Sequence, residues 1–349
     1  MIFASDNWAG AHPKIAAALS AGAQGYASAY GTGELDRKVE QRFCELFERD
    51  VAVFFVGTGT AANSIALASL SRPGGVAFCH TEAHVIEDEG GAPEFLTGGA
   101  RLRGVTGDLG RMDPKALDAA IRLHPAQFVH SGQPMAATIT QATEIGTLYG
   151  LDQIAVIGEV CREHAIPLHL DGARFANALV ALETTPAEMT WKRGVDIVSF
   201  GGTKNGCWCA EAVVVMDPAK ASDLPFLRKR SAHLFSKSRF IAAQFDAYFE
   251  DGLWLETARH ANAMAATLAD RLEESPAVRL AWKPQANEVF ALIHTQIASE
   301  LQARGARFHQ WNLPQGFSQT LNDGEALYRF VTSFATTPAD IEAFGALLP

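Results

Sequence analysis

Cysteine is scarce in this chain of 349 residues, and it is unpatterned. The five cysteines, Cys44, Cys79, Cys161, Cys207 and Cys209, are odd in number, and Cys207-Trp208-Cys209 has neither zinc nor thioredoxin spacing. A disulfide framework is therefore excluded, and plain thiols in a reducing compartment are expected, with the cytoplasm as the default. Long apolar runs are missing too: no stretch approaches the ~18–20 residues a membrane span needs. Met1 to Trp8 has no basic stretch ahead of an apolar run, and Pro349 is not preceded by a lipidation box, so neither a signal peptide nor a lipid anchor is expected. Basic residues are in the minority, 29 against 39 acids for a net charge of −10, which argues against nucleic acid or an anionic membrane as the main partner.

What is present is apolar material, 48% of residues, with only 19% charged, enough for a substantial core and about two domains at ~150 residues each. Short apolar runs at Val51–Phe55, Val76–Cys79, Gln127–His130, Ile166–Leu170, Val195–Phe200 and Ala212–Met216 read as buried strands. Helical patterns lie between them at Thr60–Leu70, Pro114–Leu123 and Asp152–His164; Asp113 caps the second through Pro114, and Asp152 caps the third. Alternating strands and helices predict an α/β fold with a mostly parallel sheet covered on both faces. The glycine-rich tract Gly90–Gly110 reads as loop. After Met216 the pattern becomes helix-rich, with a break near Asp251-Gly252. Short strands follow at Leu280–Trp282, Val289–Ile293, Arg307–Trp311 and Leu327–Thr332, with helices near Thr295–Arg304 and Pro338–Leu347. This change divides the chain into a large domain, 1–245, and a smaller α+β C-terminal domain, 246–349.

The strand Val51–Phe55 runs into Gly57-Thr58-Gly59-Thr60-Ala61-Ala62-Asn63 and then a helix. Such a loop brings backbone N–H groups and a helix N-terminus to a phosphate. Gly57, Gly59 and Ala62 also fit the dinucleotide fingerprint G-x-G-x-x-A, with Glu82 where a ribose-binding acid would stand. A dinucleotide site, a monophosphate cradle and a plain tight turn all remain open on the loop alone.

Two further strands end in polar residues, one in Asp171-Gly172-Ala173-Arg174 and the other in Gly201-Gly202-Thr203-Lys204-Asn205-Gly206. In an open parallel sheet such strand ends line the ligand crevice, so the Gly57 loop, Asp171 and Lys204 are expected to converge. Lysine forms imines with aldehydes, aspartate pairs with a protonated pyridine, and the loop holds one phosphate; together these describe pyridoxal 5′-phosphate. A nicotinamide cofactor would leave Asp171 and Lys204 without a task. Read singly, an aspartate at a strand end is as often a turn residue and a lysine is usually a solvated charge, but Lys204 is delivered by a buried-looking strand between glycines.

In these stretches the sequence resembles the low-specificity L-threonine aldolases, of the β-eliminating lyase branch of the fold type I pyridoxal-phosphate enzymes. The matching segments are Ser5-Asp6-Asn7, Tyr30-Gly31, Gly57 to Asn63, Ala83-His84 with Glu89, His169 to Arg174, Lys204, and Arg329 to Thr332. They run in family order over nearly the whole chain; the His-Leu-Asp-Gly-Ala-Arg motif with its following lysine is specific, the glycine loop is not.

The resemblance implies a pyridoxal-phosphate lyase that cleaves L-threonine, L-allo-threonine and related β-hydroxy-α-amino acids such as phenylserine into glycine and an aldehyde. It implies that Lys204 bonds the cofactor and Asp171 pairs with its pyridine nitrogen. Thr58, Gly59 and Thr60 would bind the phosphate, and His84 would stack on the ring. Arg174 and Arg329, with Ser5, would hold the substrate carboxylate, for which the planar guanidinium fork is suited. His84, or Glu89 through a water, would take the β-hydroxyl proton. A cytoplasmic homotetramer built from dimers is implied, with Tyr30 reaching a neighbour's site. Thr143 stands where many members have a histidine, and Lys237 or Arg239 substitutes for a phosphate-binding arginine of a neighbouring subunit. The rival functions are another pyridoxal-phosphate lyase or aminotransferase, a dinucleotide-dependent oxidoreductase, and a non-catalytic binding module.

Overall fold

A computed structural model describes residues 1–125 and 127–349. Seven strands build the main sheet: β1 (Ala52–Val56), β2 (Gly75–His80), β3 (Arg101–Val105), β4 (Gln133–Thr140), β5 (Leu168–Gly172), β6 (Ile197–Gly201) and β7 (Glu211–Val215). Their order is β1-β7-β6-β5-β4-β2-β3. All pairings are parallel except those of β7, which runs antiparallel to both β1 and β6. Strands β5, β6 and β7 are buried along their whole length, as strands covered on both faces must be, and this is why their sequences are mostly apolar. The architecture is the α/β fold expected of the fold type I enzymes.

Three local expectations fail. Gln127–His130 forms turns, not a strand, and Phe128 and Val129 are exposed; the strand is Gln133–Thr140, whose start is masked by Gln133 and Pro134. The tract read as loop contains β3, an edge strand whose Arg101 and Arg103 point outward while its other residues turn inward, so the run never looks apolar. The cap of the helix Leu151–Glu163 is Gly150, with the Gln153 side chain reaching back to it, so Asp152 sits in the first turn instead.

The core is aromatic where the helices close over β6. Phe200 lies 5.0 Å from Phe175, 5.1 Å from Phe43 and 5.9 Å from both Phe249 and Trp254, centroid to centroid. A second, antiparallel sheet contains β8 (Val278–Leu280), β9 (Glu288–His294), β10 (His309–Trp311) and β11 (Glu325–Val331), in the order β10-β11-β9-β8. The helix Leu253–Glu273 serves both cores: Leu253, Trp254 and Ala258 pack with the first, Ala265, Leu268 and Leu272 with the second. Its start is set by Asp251 and Gly252, both in the left-handed region, which breaks the preceding helix as the sequence suggests. The N-terminal segment crosses the same divide. Phe3 is buried in the second core and bonds Arg307 and Val331, while Asp6 reaches the main sheet. Among the described residues no helix is long and apolar enough to cross a membrane.

Candidate active site

Because β7 is the lone reversed strand, β1, β2, β4, β5 and β6 all present their carboxyl ends at one edge. Each delivers a polar segment there, and together they enclose a cavity of about 610 Å³. That lies within the range of small-molecule sites. Of the residues singled out in the sequence, Ser5, Thr58, Gly59, Thr60, His84, Glu89, Asp171, Arg174, Lys204 and Arg329 all line it.

The segment after β1 turns into the helix Gly59–Ser69. Thr58 Oγ1 accepts from Ala61 N at 3.1 Å and caps it. The N–H groups of Gly59 and Thr60 have no acceptor among the described residues, so the helix offers two donors and its positive end to the cavity. Gly57 is close-packed on the other side: its N–H donates to His233 Nδ1 at 3.3 Å, and a Cβ there would fall 2.9 Å from the Phe235 ring.

Asp171, at the end of β5, is held from two directions. Its Oδ1 accepts from Ala173 N at 3.0 Å and its Oδ2 from Asn63 Nδ2 at 2.8 Å. The same Asn63 amide donates to Glu89 Oε1 at 2.7 Å, and that oxygen lies 3.0 Å from His84 Nδ1. One side chain from the helix Gly59–Ser69 thus joins the aspartate to the His84–Glu89 pair. The hydrogen bond to Glu89 holds the His84 imidazole above its ordinary pKa, against the opposing effect of burial. Burial raises the Glu89 carboxyl.

Lys204 sits in the turn after β6, beside Glu211 of β7. Burial pushes Glu211 up to about 7, and Lys204 draws it down. The segment after β4 contributes Glu144, whose Oε1 accepts from His84 N at 2.7 Å and Thr140 Oγ1 at 2.9 Å. Burial pushes this carboxyl up to about 7 as well. Glu144, not Thr143, lines the cavity: the Thr143 hydroxyl is buried against Thr147 at 2.8 Å. A single glutamate in a threonine-rich loop carries no sequence signal.

The two arginines meet over the cavity with more company than the sequence suggests. Arg174 forms a bidentate pair with Asp6, 2.8 Å from Nε and 3.2 Å from Nη2, and its Nη1 lies 3.3 Å from Glu288. Arg329 lies 3.8 Å from the other Glu288 oxygen and stacks over Trp311 at 4.0 Å. Four other residues lie elsewhere. Tyr30 is half-exposed near Lys229 and does not line this cavity. Arg239 bonds the carbonyls of Gln24 and Gly25, and neither it nor Lys237 lines the cavity. Glu82 accepts from Gln315 N at 2.8 Å instead of facing the glycine loop, which removes the ribose-binding acid a dinucleotide needs.

The donor set fits a phosphate-bearing pyridine aldehyde. It offers free N–H groups for the phosphate, a fixed buried carboxylate for a ring nitrogen, an imidazole and an amine. The family model described as beta-eliminating lyase matches residues 3–296. A low specificity L-threonine aldolase of Pseudomonas aeruginosa is 40% identical over 308 residues, 88% of each chain. One from a Pseudomonas species is 38% identical over 345 residues, 99% of this chain and 96% of the relative. Among solved structures, a threonine aldolase of Leishmania major superposes with a TM-score of 0.90 at 28% identity, covering 99% of this chain and 98% of that one.

Proposed function

The chain belongs to the beta-eliminating lyase family, and from that premise we propose a task for each residue gathered in its cavity. The protein is a carbon–carbon lyase that cleaves L-threonine into glycine and acetaldehyde, and its cofactor is pyridoxal 5′-phosphate. When bound, the cofactor supplies an aldehyde that amines can join and a protonated ring that accepts electrons released at the substrate Cα.

The chain's own residues would act around it as follows. Lys204 would hold the cofactor, with Glu211 beside it able to store a proton near neutral pH. Asp171, fixed by Asn63 and Ala173, would pair with the ring nitrogen. Thr58, Gly59 and Thr60 bind the phosphate. His84 would cover the ring face. Arg174 and Arg329 orient the α-carboxylate, assisted by Ser5, and so decide which bond at Cα stands perpendicular to the ring. His84, or Glu89 through a water, takes the β-hydroxyl proton, since both belong to one hydrogen-bonded unit. L-allo-threonine and phenylserine are further substrates under this reading. Tyr30 completes a neighbour's site in a cytoplasmic homotetramer built from dimers, a task that suits its half-exposed side chain.

The observation that carries these assignments is the meeting of Asp171, Lys204 and the start of the helix Gly59–Ser69 on one cavity. The test is Lys204→Ala. The variant is expected to fold, to lose the borohydride-bleachable visible absorption, and to form no glycine from L-threonine. Undiminished turnover would overturn the assignment. Aldehyde release from L-threonine, L-allo-threonine and phenylserine by the unaltered protein measures the substrate range.

A further inference from the structure

The arginine cluster contains a carboxylate whose presence the proposed function does not use. Glu288 opens β9 and is fully buried. Its two oxygens face Arg174 at 3.3 Å and Arg329 at 3.8 Å, and neither oxygen accepts a hydrogen bond. Gly146 packs behind this side chain so tightly that a Cβ there would lie 2.8 Å from the Glu288 Cβ.

Counting charge around this carboxylate shows the difficulty. Arg174 and Arg329 supply two positive charges, and Asp6 and Glu288 supply two negative ones. Lys204, after β6, Asp88, which acts on Arg329, and Glu144, which acts on Arg174, are the other charged groups that act on the cluster. A substrate α-carboxylate entering here adds a third negative charge to a balanced, enclosed pair. An uncompensated buried charge is costly, and a buried carboxyl usually avoids it by taking a proton.

We propose that Glu288 is a resident stand-in for the substrate carboxylate, and that binding of an α-carboxylate between Arg174 and Arg329 is balanced by a proton taken up on Glu288. The inference rests on the reading that these arginines receive the α-carboxylate. Glu288, not Asp6, is the acceptor because Asp6 is tied by two bonds from Arg174 and one from Asn287 at 3.1 Å. Burial already favours the protonated form of Glu288, whereas the charges of Arg174 and Lys204, with the bonds from Arg174 and Asn287, overcome the burial of Asp6 and favour its charged form. No covalent bond is made or broken; one solvent proton moves to a Glu288 oxygen on binding and leaves on release.

The consequence is a pH-dependent affinity for carboxylates that is independent of catalysis. The probe is 3-hydroxybutyrate, which has the β-hydroxyl and carboxylate of the substrate but no amine to join the cofactor. Calorimetric titration of the holoenzyme in two buffers of different ionisation enthalpy counts protons. The unaltered protein is expected to take up about one proton per site, with Kd rising about tenfold per pH unit above the Glu288 pKa. Glu288→Gln, which keeps the shape, is expected to show neither. Should that variant not fold, isotope-edited infrared spectra of the unaltered protein with labelled glutamate serve instead, and a protonated carboxyl band is expected to appear on binding. Binding of the probe without proton uptake, or with equal uptake in Glu288→Gln, refutes the proposal and leaves the arginine clamp standing. Failure of the probe to bind at all, together with unchanged substrate KM in Arg329→Lys, removes the clamp and the proposal with it.

Discussion

Replacing Glu144 by Gln should stabilise the protein, and only at higher pH. The Glu144 Oε1 accepts from His84 N and from Thr140 Oγ1, and Oε2 has no partner. A glutamine keeps both acceptances and cannot ionise. Burial moves the Glu144 carboxyl from an ordinary 4.5 to about 7. The folded protein therefore holds a proton through that window that the unfolded chain has released, so stability falls as pH rises from about 4.5 to about 7. At ~1.4 kcal/mol per pKa unit the full cost reaches about 3 kcal/mol, an upper bound because the carboxyl lines a water-accessible cavity. Glu211 behaves in the same direction but is common to both proteins and cancels in their difference. Denaturant unfolding of both proteins at about pH 5 and about pH 8 measures the effect. Near-equal stabilities are expected at the lower pH, with Glu144→Gln ahead by up to about 3 kcal/mol at the higher. A stability difference that does not change between the two pH values would refute the reasoning.

Other consequences can be checked alongside it. Phe200 is fully buried among five aromatic rings, so Phe200→Ala should cost about 3–5 kcal/mol in chemical denaturation. Asn63→Ala removes the donor shared by Asp171 and Glu89 and should cost about 1–3 kcal/mol. Asn63→Asp should be worse, since it places a third carboxylate against those two; the reverse order in the same assay would contradict the bridging geometry.

The sequence made some of this visible and hid the rest for physical reasons. Polar residues that follow buried strands stand out, which is why Asp171, Lys204 and the Gly57 loop could be placed together before any coordinates. Edge strand β3 was lost because one face is solvated and its letters alternate with arginine, and β4 because Pro134 interrupts its opening. Asn63 was legible as part of a motif, but its double donation depends on how the helix Gly59–Ser69 lies over β5. Glu144 and Glu288 were invisible as site residues. Each is one charged letter outside any motif; the sheet edge brings Glu144 to the cavity, and the second sheet's packing sets Glu288 against Arg174 and Arg329.

Phe3 is wedged into the smaller core while Asp6, three positions on, neutralises Arg174. A taut span this short cannot let one anchor shift and keep the other. Any rocking of the smaller unit away from the main sheet must therefore tug on the counter-ion of Arg174, so that mechanical opening and the local field at the guanidinium change in step.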